Sequence, residues 1–165
     1  MALDTLIKLA AFAATFCTLY AAHSFGDHWV QTHRQACGKG APGRAGRIWC
    51  ARHVASLTIT KLVALLALTG TTGLDIAPGY LLAGLVADAV SHYWADRAAR
   101  HPNSKRVVTL ARLADALGKG DFYRMGAPRM GRDDQPHLGT GAHALDQSFH
   151  VLFLFIASLI IAGGA

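Results

Sequence analysis

Four long apolar segments constrain this chain more than any other feature of its sequence. They occupy residues 5–30, 54–70, 76–95 and 144–163, and the last of them contains the run SFHVLFLFIASLIIA. A helix needs about 20 predominantly apolar residues to cross the hydrocarbon core of a bilayer, with a range of about 17 to 25. The 165 residues therefore predict a single integral membrane domain, an all-α bundle of four transmembrane helices.

Composition excludes two other classes of protein. Hydrophobic residues make up 52% of the chain and charged residues only 16%, whereas soluble domains average about 25% charged residues. A disordered chain would be less apolar still. The formal charge of +6 is typical of nucleic-acid-binding proteins when taken alone. The positions of the basic residues along the chain decide between a nucleic-acid partner and a membrane.

The basic residues report the orientation of the chain in the membrane. Of the sixteen Lys and Arg residues, all except Lys8 and Lys61 lie in the segments 31–53 and 96–143. The positive-inside rule makes both segments cytoplasmic loops of a multi-pass protein in the cell's inner or plasma membrane, with both termini outside. With the charge explained in this way and no base-reading motif present, membrane lipids rather than nucleic acid are the expected partners.

The second loop contains an element of its own. Residues 105–117 (KRVVTLARLADAL) place apolar side chains near helical spacing among basic ones, which predicts an amphipathic helix at the inner leaflet that ends at Gly118 and Gly120. Residues 121–140 are rich in Gly, Pro, Asp and Arg and are predicted to be irregular. The loop could cap a site or bind anionic lipid, or simply be a solvated linker.

Ionisable side chains occur inside the apolar segments, where each costs at least about 2.5 to 3.5 kcal/mol at mid-depth. His and Asp recur four residues apart, a spacing that places two side chains on one helix face. Three segments carry such a pair, and a single histidine marks the start of the second segment. The resulting set of candidate metal ligands is His23, Asp27, His53, Asp88, His92, Asp146 and His150.

The predicted topology places all these side chains at one depth. The pairs in the first and third segments lie toward the ends that are predicted to be cytoplasmic. The histidine of the second segment and the pair of the fourth lie at the beginnings, which are cytoplasmic as well. We therefore expect one polar site near the cytoplasmic leaflet, facing the interior of the bundle.

Imidazole and carboxylate ligands without thiolates suit Zn, Mn or Fe(II). Seven candidates exceed the needs of one tetrahedral ion, so either two metals bind or the spare side chains support one metal. In the alternative interpretation, the His/Asp pairs only hydrogen-bond across helices and fix their packing. Lys61, near the middle of the second segment, could snorkel, pair with a carboxylate or serve catalysis.

The polar motifs follow a fixed order along the chain. They are HSFGDHWVQ at 23–31, His53, D-x3-H at 88–92 and DQSFH at 146–150. This ordered set resembles a membrane family of bacteria and phages known as domain of unknown function 3307, over roughly residues 21–154 without the long basic loop. The resemblance implies a membrane fold with shared polar positions but no reaction. More loosely, the motifs are similar to those of membrane-bound metal-dependent hydrolases.

The favoured function is an intramembrane metal-dependent hydrolase that acts on an amphiphilic or lipid-like substrate at the cytoplasmic leaflet. The expected roles are metal ligation by His53, His92 and His150 with Asp88 or Asp146 beside them, and general-base catalysis by Asp27. One alternative is a non-catalytic protein that moves ions or protons or carries a redox group. Another is a phage-type membrane effector that acts through its cytoplasmic loop. Oligomerisation is compatible with each of these.

Overall fold

The computed structural model describes residues 2–98, 110–126 and 140–165, and every regular element in those ranges is helical. The four long helices are α1 (Leu3–Phe25), α3 (Gly43–Thr72), α4 (Pro78–Ala98) and α7 (Gly141–Ala162). The short helices are α2 (His33–Gly38), α5 (Leu110–Ala116) and α6 (Gly120–Tyr123), and a π-helical turn at Gly26–Val30 continues α1. The predicted all-α fold is confirmed for these residues.

The four long helices pack side by side around a common interior. Helix α1 contacts α3 and α7, and α4 contacts the same two helices, so the contacts close a ring. Helix α3 ends at Thr72 and is capped by Gly73, whose φ of +70° suits glycine because a side chain is strained there. The short connection to α4 makes α3 and α4 antiparallel neighbours.

Three helical segments are long and apolar enough to cross a membrane, namely Leu3–Val30, Gly43–Thr72 and Gly141–Ala162. They correspond to the first, second and fourth apolar segments of the sequence. Helix α4 corresponds to the third, at 76–95, but it is not among them. Asp88, Ser91 and His92 interrupt its apolar sequence and lower its mean hydropathy.

Helix α3 begins at Gly43 instead of residue 54, where the apolar segment starts. The predicted loop 31–53 is therefore largely helical, because it contains α2 and the first turns of α3. Apolar composition identifies only the part of a helix that suits hydrocarbon. The exposed Arg44 and Arg47 lie on the polar extension that this criterion leaves out.

The predicted amphipathic helix at 105–117 is helical over Leu110–Ala116, with Leu110 and Ala114 buried. Residues 105–109 lie outside the described residues. The chain leaves α5 through Gly118, which has a φ of +70°, but Gly120 begins α6 instead of ending the preceding helix. The predicted irregular segment 121–140 thus starts with a helical turn, and 127–139 lie outside the described residues.

An apolar core fills one half of the bundle. On three helices it begins one turn beyond the buried polar side chains described below, at Leu19, Leu65 and Leu154, all fully buried. The remaining buried members of this core are Ile76, Leu85, Ala157 and Ile161. The bundle is therefore apolar at one end of its interior and polar at the other.

Candidate metal centre

Helix α1 brings His23 and Asp27 into the bundle at its π-helical end. A π-helical turn holds one extra residue, and such turns are frequent at functional sites. Gly26 packs so closely on α3 that a Cβ atom there would overlap the side chain of Leu57. Asp27 is consequently held beside α3, with Oδ1 3.2 Å from His53 Nε2 and Oδ2 3.4 Å from His23 Nε2.

His53 of α3 and His92 of α4 face each other across the interior. Their Nε2 atoms are 3.0 Å apart, and the two side chains are buried, with 0% and 2% of their surface exposed. Two lone pairs repel at this distance, so either one ring donates its proton to the other or a cation binds both nitrogens. The spacing is compatible with two ligands of a single ion.

His150 of α7 lies against the same group of rings. Its ring centroid is 4.3 Å from that of His92 and 5.2 Å from that of His23. His150 Nδ1 donates a hydrogen bond to the backbone carbonyl oxygen of Asp146 at 2.8 Å. This bond keeps the proton on Nδ1 and leaves the lone pair of Nε2 pointing into the cluster, as metal-binding histidines require.

Asp96 adds a second carboxylate, one turn after His92 on α4. Its Oδ2 atom lies 3.4 Å from His92 Nε2 and 3.6 Å from His53 Nε2. Its Oδ1 atom pairs with the Lys39 ammonium at 2.8 Å. One oxygen of this carboxylate is thus bound by a lysine, while the other faces the histidines.

Two sets of three side chains have the spacing of metal ligands. They are Asp27, His53 and His92, and His92, Asp96 and His150, with the ligand atoms of each set within 4.8 Å of one another. Because His92 belongs to both sets, they form one compact cluster with His92 at its middle. We refer to His23, Asp27, His53, His92, Asp96 and His150 together as the His/Asp cluster.

Many buried polar atoms of the His/Asp cluster have no hydrogen-bond partner among the described residues. They are both ring nitrogens of His23, Asp27 Oδ1, His92 Nδ1, Asp96 Oδ2 and His150 Nε2. Each unsatisfied buried group costs about 1–3 kcal/mol, and native structures contain few of them. Imidazole nitrogens and carboxylate oxygens that converge in this way could hold a metal ion.

The charges around the cluster also favour a cation. Lys39 neutralises Asp96, and Lys61 neutralises Asp88 at 2.6 Å. Asp27, in contrast, lies beside the imidazoles of His23 and His53, which carry charge only when protonated. A divalent cation bound among these groups would offset the cost of burying the Asp27 carboxylate.

Two of the seven predicted ligands lie away from the cluster. Asp88 is paired with Lys61, so Lys61 neither snorkels nor lies alone. Asp146 accepts the His150 Nδ1 hydrogen bond on its backbone carbonyl oxygen, and its carboxylate Oδ2 lies 4.0 Å from the same Nδ1 atom. The other five predicted ligands come together.

Three residues near the centre were not predicted as part of it. Asp96 follows His92 by four residues, the same spacing that selected the other pairs, and could have been found from the sequence. Gln31, whose carboxamide nitrogen is 2.9 Å from His53 Nδ1, is in the sequence only the last residue of the HSFGDHWVQ motif. Lys39 lies in a loop of many basic residues, and no sequence pattern distinguishes it from the others.

Comparisons with known proteins give no further information about this site. The chain matches no protein-family model, no curated protein and no solved structure. The resemblance to the membrane family of bacteria and phages therefore remains a prediction from the sequence motifs.

Proposed function

We propose that the protein spans the membrane four times and uses the His/Asp cluster to bind a divalent metal and hydrolyse an amphiphilic or lipid-like substrate. Helix α4 is the fourth span in this proposal. It has 21 residues, which suffice to cross the hydrocarbon core, and it packs between α3 and α7, two of the helices that are apolar enough to cross.

The observation that carries the proposal is the convergence of four histidines and two aspartates, because five of these six residues have buried polar atoms without a hydrogen-bond partner among the described residues. Hydrogen bonding between helices could account for one His/Asp pair. It does not account for a buried cluster in which so many donors and acceptors lack partners among the described residues. A bound cation satisfies several of them at once.

In this proposal His23, His53, His92, His150 and Asp96 hold the ion, and Asp27 remains available as the general base. A divalent ion supplies a Lewis-acid charge that polarises a carbonyl or phosphoryl oxygen and lowers the pKa of water. Asp27 is the more exposed of the two aspartates in the cluster, with 13% of its side chain accessible against 4% for Asp96. Its carboxylate can therefore accept a proton from a water molecule that enters from the surface.

The proposed substrate class follows from the depth of the cluster. Both connections at the polar end of the bundle are rich in Lys and Arg, which the positive-inside rule assigns to the cytoplasm. The cluster would then lie near the cytoplasmic leaflet, at the level of lipid headgroups. A site at this level suits an ester, amide or phosphate bond close to a headgroup.

The experiment compares purified wild type with Asp27→Asn and His28→Ala in vesicles of mixed phospholipids. Released fatty acid and released phosphate are both measured after loading with Zn²⁺ or Mn²⁺. We expect hydrolysis by wild type, loss of hydrolysis with retained metal in Asp27→Asn, and no change in His28→Ala. The exposed His28 donates to the Ser24 carbonyl oxygen and does not contact the cluster, so it is a matched control. Equal rates in Asp27→Asn and wild type would contradict the assigned role.

Transport of a metal ion or proton is the second candidate, and one observation favours it. The buried Lys61–Asp88 pair extends the polar interior one turn beyond His92 toward the opposite end of the bundle. The apolar core that includes Leu65 and Leu154 closes the interior beyond that point. Uptake of ⁶⁵Zn or protons into proteoliposomes, together with an absence of hydrolysis, would select transport over the hydrolase.

A further inference from the structure

The short connection between α1 and α3 covers the polar end of the bundle. We call residues 31–42 the cap segment; it contains α2. Its helix begins with a capping box, in which the Thr32 hydroxyl accepts from the Gln35 amide and the Gln35 side chain accepts from the Thr32 amide. The guanidinium of Arg97, on α4, donates to the carbonyl oxygens of Lys39 and Ala41 at 3.0 and 2.7 Å. The cap segment is therefore fixed at its beginning and at its end.

Gln31, the first residue of the cap segment, contacts the proposed metal ligand His53. Its carboxamide nitrogen lies 2.9 Å from His53 Nδ1, and it donates there, which leaves the ring proton on Nε2. The Nε2–H then donates to His92 Nε2, 3.0 Å away. A metal ion can bind His53 Nε2 only if the proton moves to Nδ1. The Gln31 carboxamide must then rotate so that its oxygen accepts from Nδ1. This rotation exchanges the amide oxygen and nitrogen, which are similar in size, so the side chain occupies the same space.

Lys39 touches a second proposed ligand. Its ammonium lies 2.8 Å from Asp96 Oδ1, and both residues are buried, with 8% and 3% of their surface exposed. The Arg97 contact to the Lys39 carbonyl oxygen fixes the backbone from which this side chain extends. Because Oδ1 is held by the ammonium, the carboxylate presents a single oxygen, Oδ2, to the histidines.

We propose that the cap segment positions the metal ligands: the Gln31 carboxamide oxygen holds the proton of His53 on Nδ1 when the ion binds Nε2, and Lys39 restricts Asp96 to ligation through Oδ2. This inference rests on the proposed metal centre and deepens it. Groups that orient ligands from outside the coordination sphere set affinity and geometry as much as the ligands do, and their loss lowers metal affinity by about 10- to 100-fold. The cap segment then controls how tightly, and in which geometry, the centre holds its ion.

The test uses Co²⁺ as the probe, because its visible absorption reports both binding and coordination geometry. Wild type, Gln31→Leu, Lys39→Met and Lys39→Arg are titrated in detergent, with Arg34→Met as the control. Arg34 is exposed on α2, so this variant changes the charge of the cap segment away from the cluster. We expect Gln31→Leu and Lys39→Met to weaken Co²⁺ binding by about 10- to 100-fold and to shift the absorption bands. Lys39→Arg restores both, and Arg34→Met changes neither.

Three other outcomes of this titration would contradict the proposal. Wild-type affinity and spectrum in both Gln31→Leu and Lys39→Met would overturn the positioning role while leaving the metal centre in place. Weaker binding in Lys39→Met that Lys39→Arg fails to restore, with unchanged bands, would indicate loss of structure and also overturn it. Wild-type protein that does not bind Co²⁺ at all would overturn the proposed metal centre and this inference together.

Discussion

Lys61 Nζ lies 2.6 Å from Asp88 Oδ2, and the lysine, with no exposed surface, is the largest fully buried side chain in the described part of the chain. The pair lies between the His/Asp cluster and the apolar core of the bundle. Neither charge reaches water, so each depends on the other. Buried ion pairs often stabilise a protein no more than apolar residues of similar volume would, whereas half of such a pair is strongly destabilising.

Removing one charge of this pair should therefore cost more than removing both. Lys61→Met and Asp88→Leu are each expected to lower the free energy of unfolding by about 3–5 kcal/mol, since each leaves a buried charge without its partner. The double variant Lys61→Met/Asp88→Leu should recover most of that loss. Unfolding in mixed micelles measures all three, and a double variant as unstable as the sum of the single variants would contradict the pairing.

The contact between α4 and α7 depends on a glycine. A Cβ atom at Gly84 would overlap Ile161 and lie 2.9 Å from the carbonyl oxygen of Ala157, which is backbone and cannot move aside. Gly84→Ala is expected to lower the free energy of unfolding by about 1–3 kcal/mol. Gly70 lies in α3 with nothing within 4 Å of its Cβ position, so Gly70→Ala is the matched control and should be neutral. Equal effects at the two sites would argue against this close packing.

Maleimide labelling tests the proposed topology, including α4 as a span. In a background without Cys17 and Cys50, the exposed Cys37 is compared with Thr72→Cys and Met125→Cys, each placed in a chain that lacks Cys37. Four spans predict that Cys37 and Met125→Cys react with a membrane-impermeant maleimide only in inside-out vesicles. Thr72→Cys should react only in intact cells. Labelling of Met125→Cys together with Thr72→Cys would show that α4 does not cross.

In the proposed metal centre Asp96 is a ligand, whereas Asp88 and Asp146, which the sequence predicts as ligands, are not. Asp96→Ala is expected to weaken Zn²⁺ or Mn²⁺ binding by an order of magnitude or more, since Oδ2 faces both His53 and His92. Asp146→Ala should bind the metal nearly as wild type does, because its backbone carbonyl, which holds His150, is retained. Competition with a fluorescent chelator measures both variants. The reverse order of affinities would restore the ligand set predicted from the sequence.

The helical class and most of the cluster follow from the sequence because both depend on spacing along a helix. Four-residue spacing predicts that His23 lies beside Asp27. The predicted topology places the polar residues of separate helices at one depth. Helix ends were predicted less well. Helix α3 extends to Gly43 through arginines that lie on its exposed side, and apolar composition gives no signal there.

Asp88 and Asp146 lie outside the two candidate ligand sets for different reasons. Asp88 has the right spacing from His92, but Lys61 on a neighbouring helix binds it, and a contact between helices has no signature in either segment alone. The Asp146 carboxylate is 21% exposed and lies 4.0 Å from His150 Nδ1, the ring nitrogen that does not face the cluster. Lys39 and Gln31 contact the cluster only because of the tertiary position of the cap segment, which only the folded chain determines.

The metal content of purified protein tests the central claim most directly. Wild type, His92→Ala and His28→Ala are loaded with Zn²⁺ or Mn²⁺ in detergent, freed of excess metal and analysed by mass spectrometry of the elements. His92 belongs to both ligand sets, and His28 belongs to neither. The metal centre predicts bound ion in amounts comparable to the protein for wild type and His28→Ala, and little for His92→Ala. Wild type that retains no metal, or His92→Ala that retains as much as wild type, would contradict it.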